Sequence, residues 1–290
     1  MKTILEVKNL TKYYRDILAV KNLSFSLNEG EIFGFIGPNG AGKSTTIRAI
    51  MNLINKNEGQ VFINGEEFTK DNINLKQLIG YLPGEIYLYE DYTVKEMLDY
   101  HETFYKKDIH KRRCELVEIL KLEESKKIED LSLGNLKKLG IILALMHEPK
   151  ILILDEATSG LDPIMQDVFF KILNQEKEKG TTIFYSTHIL NEVSKICDRV
   201  GIIKNGELLK IEDIKELQQK QSEYITITSN EIEKIEKELE LNIISKNNNT
   251  IKFKNPYSPD ELIKKLANYK IEHILVEEET LESMFLHYYK

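Results

Sequence analysis

The chain has 290 residues, with 40 lysines and arginines against 47 aspartates and glutamates, for a formal net charge of −7. That balance argues against broad electrostatic binding to nucleic acid, and no stretch approaches the ~20 apolar residues needed to cross a bilayer. Cys114 and Cys197 are the only cysteines; they form no C-x-x-C pair, so reduced thiols are expected and a structural metal site is not.

Along the chain, Met1 to Glu6 lack the hydrophobic segment of a secretory signal, which points to a cytosolic chain. Glu31 to Ile36 read as a buried strand and Ser44 to Asn52 as a helix. Between them lies Gly37-Pro38-Asn39-Gly40-Ala41-Gly42-Lys43-Ser44-Thr45, which fits the phosphate-loop pattern G-x-x-x-x-G-K-[ST]. The glycines let backbone N–H groups turn inward beside a helix N-terminus, a cradle for phosphate. Lys43 adds a fixed charge, and the Ser44 hydroxyl is placed to ligate Mg²⁺. Two Asn-Gly signals, Asn64-Gly65 and Asn205-Gly206, predict hairpins in an antiparallel β layer beside a parallel, nucleotide-binding sheet.

A mostly helical insert is expected from about Val94 to Asp130. Leu131-Ser132-Leu133-Gly134-Asn135 then precedes a helix running to Met146. Ile151 to Leu154 form a continuous apolar run suited to a parallel strand covered on both faces. It ends in Asp155-Glu156, two carboxylates placed at a strand end for work on a bound phosphate. Asp155 would hold the metal shell and Glu156 would polarise the attacking water. Ser159-Gly160-Leu161-Asp162 follows, and Thr187-His188 ends the β-type run from Thr181.

After Leu217 the pattern changes. Gln218 to Ser222 read as a polar linker. The order strand (Tyr224–Thr228), helix (Glu231–Leu241), hairpin (around Asn247-Asn248-Asn249), helix (Pro259–Tyr269), strand (Ile271–Val276) resembles a small ferredoxin-like split βαβ unit. A last helix is expected through Leu281 to Tyr289. The tail carries no catalytic pattern; a stabilising appendage and a dimerisation or regulatory module are both open.

The ordered motifs resemble those of the ATP-binding subunit of an ABC transporter, over about residues 2–212. The resemblance implies an α/β phosphate-loop cassette at 1–217, with a mixed sheet, an antiparallel layer and a helical insert at about 94–147. A small α+β domain at 223–290 follows. It further implies ATP and Mg²⁺ as ligands. Tyr14 matches the aromatic that stacks on adenine, with Val20 nearby. Gly37, Asn39, Gly40, Ala41, Gly42, Lys43, Ser44 and Thr45 match the phosphate loop, with Ser44 and Asp155 on the metal. Ser132 and Gly134 match a signature segment that acts in trans on the nucleotide of a second subunit. Glu156 and His188 match the catalytic glutamate and the γ-phosphate histidine, and Asp162 matches an aspartate that communicates across the dimer.

Each has a bland alternative: surface packing for Tyr14, a turn before Pro163 for Asp162, a helix N-cap for Ser132, an ordinary structural role for His188. The signature departs from Leu-Ser-Gly-Gly-Gln at Leu133 and Asn135. Gly84 stands where the family commonly has a metal-touching glutamine, and Glu85 is the neighbouring candidate. Leu-Ser-Leu-Gly and Leu-Pro-Gly-Glu look like the bacterial antibiotic-exporter branch of bacitracin type, whose permease is a separate chain. The implied partners are that permease and a second ATPase subunit, as a homodimer or heterodimer, with no nucleic acid. The implied location is the inner face of the cell membrane. A soluble ABC ATPase acting on ribosomes or DNA, an importer ATPase and a regulatory ATPase are the alternatives.

Overall fold

The computed structural model describes residues 2–219, 222–239, 241–281 and 283–285. The chain divides into two compact units, Met1–Ile214 and Lys215–Lys290.

In the first unit, β1 (Thr3–Tyr14) and β2 (Ile17–Asn28) precede β3 (Ile32–Ile36) and α1 (Lys43–Ile50). β4 (Glu58–Ile63), β5 (Glu66–Glu67), α2 (Ile73–Lys76) and β6 (Ile79–Leu82) follow. Three helices come next, α3 (Val94–Glu102), α4 (His110–Leu120) and α5 (Leu133–Leu145). The unit closes with β7 (Ile151–Asp155), α6 (Pro163–Glu178), β8 (Thr182–Thr187), α7 (Leu190–Ile196), β9 (Arg199–Lys204) and β10 (Glu207–Asp213).

The strands make two sheets. One has the order β2-β1-β4-β5 and the other β10-β9-β3-β8-β7-β6. The first is antiparallel throughout. In the second, β9, β3, β8, β7 and β6 run parallel and β10 is antiparallel. β3, β7 and β8 are buried along their whole length, as parallel strands covered on both faces must be. Phe25 of β2 stacks on Phe33 and Phe35 of β3 and on Phe184 of β8, each pair of ring centroids 5.6 Å apart. These rings lock the two sheets together at the centre of the core.

Both Asn-Gly turns are present, with positive φ at Asn64, Gly65, Asn205 and Gly206. The first joins β4 to β5 in the antiparallel layer. The second does not belong to that layer: it joins β9 to β10, at the edge of the parallel sheet. An Asn-Gly pair sets the local hairpin twist and carries no information about which sheet accepts the hairpin.

The helical segment is held by its own caps and charges. Thr93 and Glu96 form a capping box at the start of α3, which satisfies two backbone donors at once. Arg113 on α4 is buried and donates to Glu102 at 3.1 Å and to Glu124 at 2.6 Å.

The boundary between the units falls at the start of α8 (Ile214–Gln219), so Gln218 and Gln219 are helical rather than linker, and 220–221 lie outside the described residues. The second unit continues with β11 (Glu223–Thr228), α9 (Ile232–Leu239), β12 (Ile243–Asn247), β13 (Thr250–Lys254), α10 (Pro259–Leu266) and β14 (His273–Glu278). The sheet order β12-β13-β11-β14 is antiparallel at every pairing, which is a split βαβ arrangement. Alternation along β11 and β13 buries Ile225, Ile227, Ile251 and Phe253 against Ile235, Leu262 and Leu266 of the two helices. Of the last expected helix, Leu281 and 283–285 are helical, and 282 and 286–289 lie outside the described residues.

Candidate active site

β8 lies between β3 and β7, with Ile36 opposite Thr187 and Asp155 opposite Ser186. The loops leaving the C-terminal ends of these three strands therefore open side by side, where open parallel sheets bind ligands. A cavity of about 760 Å³ lies there, lined among others by Lys43, Ser44, Asp155, Glu156 and His188. Residues separated by more than 140 positions in sequence are thus brought to one wall by strand order alone.

The phosphate loop gets its shape from two glycines under different constraints. Gly42 has φ 105° and ψ 6°, and a Cβ there would come within 2.7 Å of the Ala19 carbonyl oxygen. Gly37 is sealed from the other side, since a Cβ would lie 2.3 Å from the Ile203 carbonyl oxygen. No side chain caps α1, so its first N–H groups are left for an anion. Lys43 is 6% exposed. Its Nζ donates to the carbonyls of Gly37 at 2.8 Å and Pro38 at 3.3 Å and lies 3.7 Å from Glu156 Oε1. Burial lowers the Lys43 pKa below the ordinary lysine value, while the Glu156 and Asp155 carboxylates oppose that shift.

Asp155 is buried and accepts a hydrogen bond from Ser186 Oγ at 3.1 Å. Glu156 has φ 49°, the left-handed region, which costs a non-glycine residue roughly 1–2 kcal/mol. The turn is held by the Glu156 N–H donating to the Ser186 carbonyl at 3.0 Å. The carboxylate points at His188, with Oε2 2.7 Å from Nδ1. One glutamate thus bridges the phosphate-loop lysine and the histidine at the end of β8.

The structure also fits a divalent cation. Ser44 and Asp155 put a hydroxyl and a carboxylate, both hard oxygen donors, on the cavity wall. Among the described residues no group of three or more His, Cys, Asp or Glu is placed to hold a metal. That sparse set suits Mg²⁺, which keeps waters and substrate phosphate oxygens as ligands, and not a zinc cage.

Not every predicted residue reaches the cavity. Asn39, Gly40, Gly42, Ser44 and Thr45 line it, while Gly37 and the buried Ala41 shape the loop from behind. Val20 does not line the cavity: it is wholly buried beneath Gly42 and packs in the core. Tyr14 is half-exposed under the Lys12 ammonium, 5.0 Å from its ring centroid, and the wall near it is made by Ile17, Leu18 and Ala19 instead. Ser132 caps α5, its hydroxyl accepting from the Asn135 N–H at 3.4 Å. Asp162 caps α6 by accepting from the Met165 N–H at 2.9 Å. Neither of these caps lines its own chain's cavity, and neither does Gly134.

At the departure from the family pattern, a Cβ on Gly84 would stand 3.7 Å from the Asp155 carboxylate. Position 84 therefore faces the Asp155 carboxylate with backbone only. Glu85 reaches the cavity wall but accepts from the Tyr87 hydroxyl at 2.9 Å.

Two further residues escaped the sequence reading. Glu192 on α7 is buried and accepts from the hydroxyls of Thr158 at 2.6 Å, Tyr185 at 2.8 Å and Thr187 at 2.7 Å. It thereby ties the segment after Glu156 to the strand end that carries His188. Lys137 on α5 is 2% exposed and donates to the carbonyls of Gly84 at 3.0 Å and Glu156 at 3.4 Å. Burial lowers its pKa, opposed by Asp155 and Glu156. A signal for Lys137 existed: Gly140, Ile141 and Ala144 continue a buried stripe at helical spacing, on which a lysine is out of place.

A phosphate loop after a buried parallel strand, with an acidic pair and a histidine at neighbouring strand ends, defines a phosphate-loop nucleoside triphosphatase. Comparison with known proteins narrows the class. The family model "ABC transporter" matches residues 20–159, and an "AAA domain, putative AbiEii toxin, Type IV TA system" model matches residues 127–194. The chain is 40% identical over 213 residues to the linearmycin resistance ATP-binding protein LnrL of Bacillus subtilis, covering 72% of this chain and 68% of that protein. It is 39% identical over 230 residues to the bacitracin transport ATP-binding protein BcrA of Bacillus licheniformis, covering 78% and 74%. The solved structure of an ATP-binding subunit of an ABC transporter matches with a TM-score of 0.70 at 31% identity, over 74% of this chain and 92% of that one. The dimeric bacterial cassette MJ0796 matches with a TM-score of 0.67 at 28% identity, over 73% and 99%. The chain belongs to the ABC transporter ATP-binding family. It is an ATP-binding transport subunit, and its enzymatic activity is ATP hydrolysis.

Proposed function

We propose that this chain powers export through a separate membrane permease, as one of two ATPase subunits that close around ATP. The observation that carries the direction is the 39–40% identity to proteins named for bacitracin transport and linearmycin resistance. No helix among the described residues is long and apolar enough to cross a membrane. The cargo path is assigned to the permease, and the ATPase to the cytoplasmic face against it.

In this reading the free N–H groups of α1 and the Lys43 ammonium bind the terminal phosphates. Mg²⁺, held by Ser44 and Asp155, supplies neutralisation of phosphate charge when bound. Glu156 accepts a proton from water as the water oxygen bonds to the γ-phosphorus and the bond to the ADP oxygen breaks. His188 orients the Glu156 carboxylate through Nδ1 and presents its other ring nitrogen to the γ-phosphate. Ser132 and Gly134, outside their own cavity, serve the nucleotide of the second subunit, which a dimeric relative supports. ATP then favours the closed pair because it binds that state better, and hydrolysis removes the preference. The second unit is assigned to dimer contacts or regulation.

The test is co-purification with a candidate permease expressed together with the chain, followed by transport in inverted membrane vesicles with bacitracin as probe. ATP-dependent uptake that vanishes in the Glu156→Gln variant is expected. A complex that requires a substrate-binding protein and moves solute in the opposite direction would overturn the export assignment.

A further inference from the structure

We propose that Lys137 is a positioning residue for hydrolysis: from the signature helix it pins the backbone of Glu156 and of the Gly84 turn, and so fixes where the Glu156 carboxylate points. The proposal rests on the role given to Glu156 above.

A lysine ammonium 2% exposed on a core-facing helix position is costly unless its donors are used. Lys137 uses them on two backbone carbonyls, Gly84 at 3.0 Å and Glu156 at 3.4 Å. These come from loops that follow different strands, β6 and β7. Among the described residues no hydrogen bond or ion pair to a side chain accompanies them, so what the ammonium organises is chain path rather than a salt bridge.

Glu156 is the residue in most need of such a clamp. Its φ of 49° is disfavoured, and its two carboxylate oxygens must face Lys43 and His188 together. The Glu156 N–H is fixed to Ser186, and its carbonyl accepts from the Ser159 N–H at 3.2 Å as well as from Lys137. With both peptide groups flanking the Cα anchored, the Cα–Cβ direction is fixed, and from it the carboxylate reaches Lys43 and His188. Releasing the Lys137 end frees the Gly84 turn as well, and that turn packs against Asp155. Because a rotation of the Glu156 peptide displaces the carboxylate while Lys43 stays held by the Gly37 and Pro38 carbonyls, the loss falls on turnover and spares nucleotide binding.

Lys137→Met keeps the stem volume and removes the donors. Steady-state turnover and ATP affinity are measured for this variant, for Glu156→Gln and for the double variant. The expected result is about a tenfold fall in kcat with ATP Kd within twofold, and less than twofold further loss when Lys137→Met is added to Glu156→Gln, since groups acting as a unit are not additive. A kcat within twofold of the parent overturns the proposal. So does an equal tenfold loss in both backgrounds, because Lys137 then acts independently of Glu156. Should Lys137→Met not fold, Lys137→Leu, which also lacks a donor, takes its place under the same criteria; if that variant also fails to fold, or loses ATP binding, the residue is a fold determinant and the proposal falls. Failure of the parent protein to bind ATP would instead refute the functional reading on which this one stands.

Discussion

Replacing Glu156 with glutamine changes one oxygen to an NH₂ group and leaves the volume, the left-handed backbone and its hydrogen bond to Ser186 in place. The amide still reaches His188 across the 2.7 Å contact now made by Oε2. What disappears is the proton acceptor and the negative charge 3.7 Å from Lys43. A positioned general base contributes roughly 10²–10⁴ in rate, or about 3–5 kcal/mol of barrier. Nucleotide affinity takes a different course. The anions of ATP no longer meet a carboxylate beside Lys43, so Kd for ATP is expected to stay level or fall. Single-turnover ADP formation gives the rate, calorimetry gives the affinity, and light scattering with Mg-ATP present gives the fraction of closed dimer. The expected pattern is a hydrolysis rate down at least a hundredfold with ATP binding kept and dimers accumulating. Turnover within tenfold of the parent would remove Glu156 from the base role. A tenfold loss of ATP affinity would show that the carboxylate supports the loop rather than the chemistry.

Gly37→Ala drives a Cβ to 2.3 Å from the Ile203 carbonyl and 2.8 Å from its Cγ2; a stability loss of about 1–3 kcal/mol in urea unfolding is expected, and an unchanged midpoint would refute the close approach. Glu192→Ala strands the buried hydroxyls of Thr158, Tyr185 and Thr187. It should cost about 2–3 kcal/mol, together with a fall in kcat as the His188 strand end loosens; a fully stable, fully active variant would contradict the network. His147 stacks on Tyr105 at 4.5 Å and is buried, and desolvation pushes its pKa down to about 4. The unfolded chain binds a proton near pH 6.5 that the folded chain refuses, so this contribution to stability is intact above about pH 6.5 and is lost as pH falls toward 4. Between pH 7 and 5 the loss should be about 2 kcal/mol, and His147→Phe should abolish it; an unchanged pH slope in that variant would assign the sensitivity elsewhere.

Much of the cassette is legible in the sequence because its signals are local. The phosphate loop needs glycines and a lysine at fixed offsets, and the Asn-Gly turns need positive φ at two successive residues. Ile151 to Leu154 are apolar in a run because both faces of β7 are covered. In the second unit, alternation at Tyr224 to Thr228 and helical spacing after Ile232 are enough to imply the order of elements.

What local pattern leaves open is which distant segments meet. Nothing near Asn205-Gly206 says that its hairpin edges the parallel sheet, and nothing near Val20 says that it lies under Gly42 rather than beside a base. Lys137 and Glu192 take their roles from carbonyls and hydroxyls on other strands, so their neighbours in sequence are silent about them. The phosphate loop, the acidic pair and the succession of strands and helices in the second unit were set by residue type and spacing, because each of those signals lies within a few residues; the pairing of β11 with β13 and β14 joins strands far apart in sequence. The convergence of Lys43, Glu156 and His188 was decided by the placement of β8 between β3 and β7, and the meeting of Lys137 with the Gly84 and Glu156 carbonyls by the pairing of β6 with β7, because strand order is fixed by packing across the whole sheet.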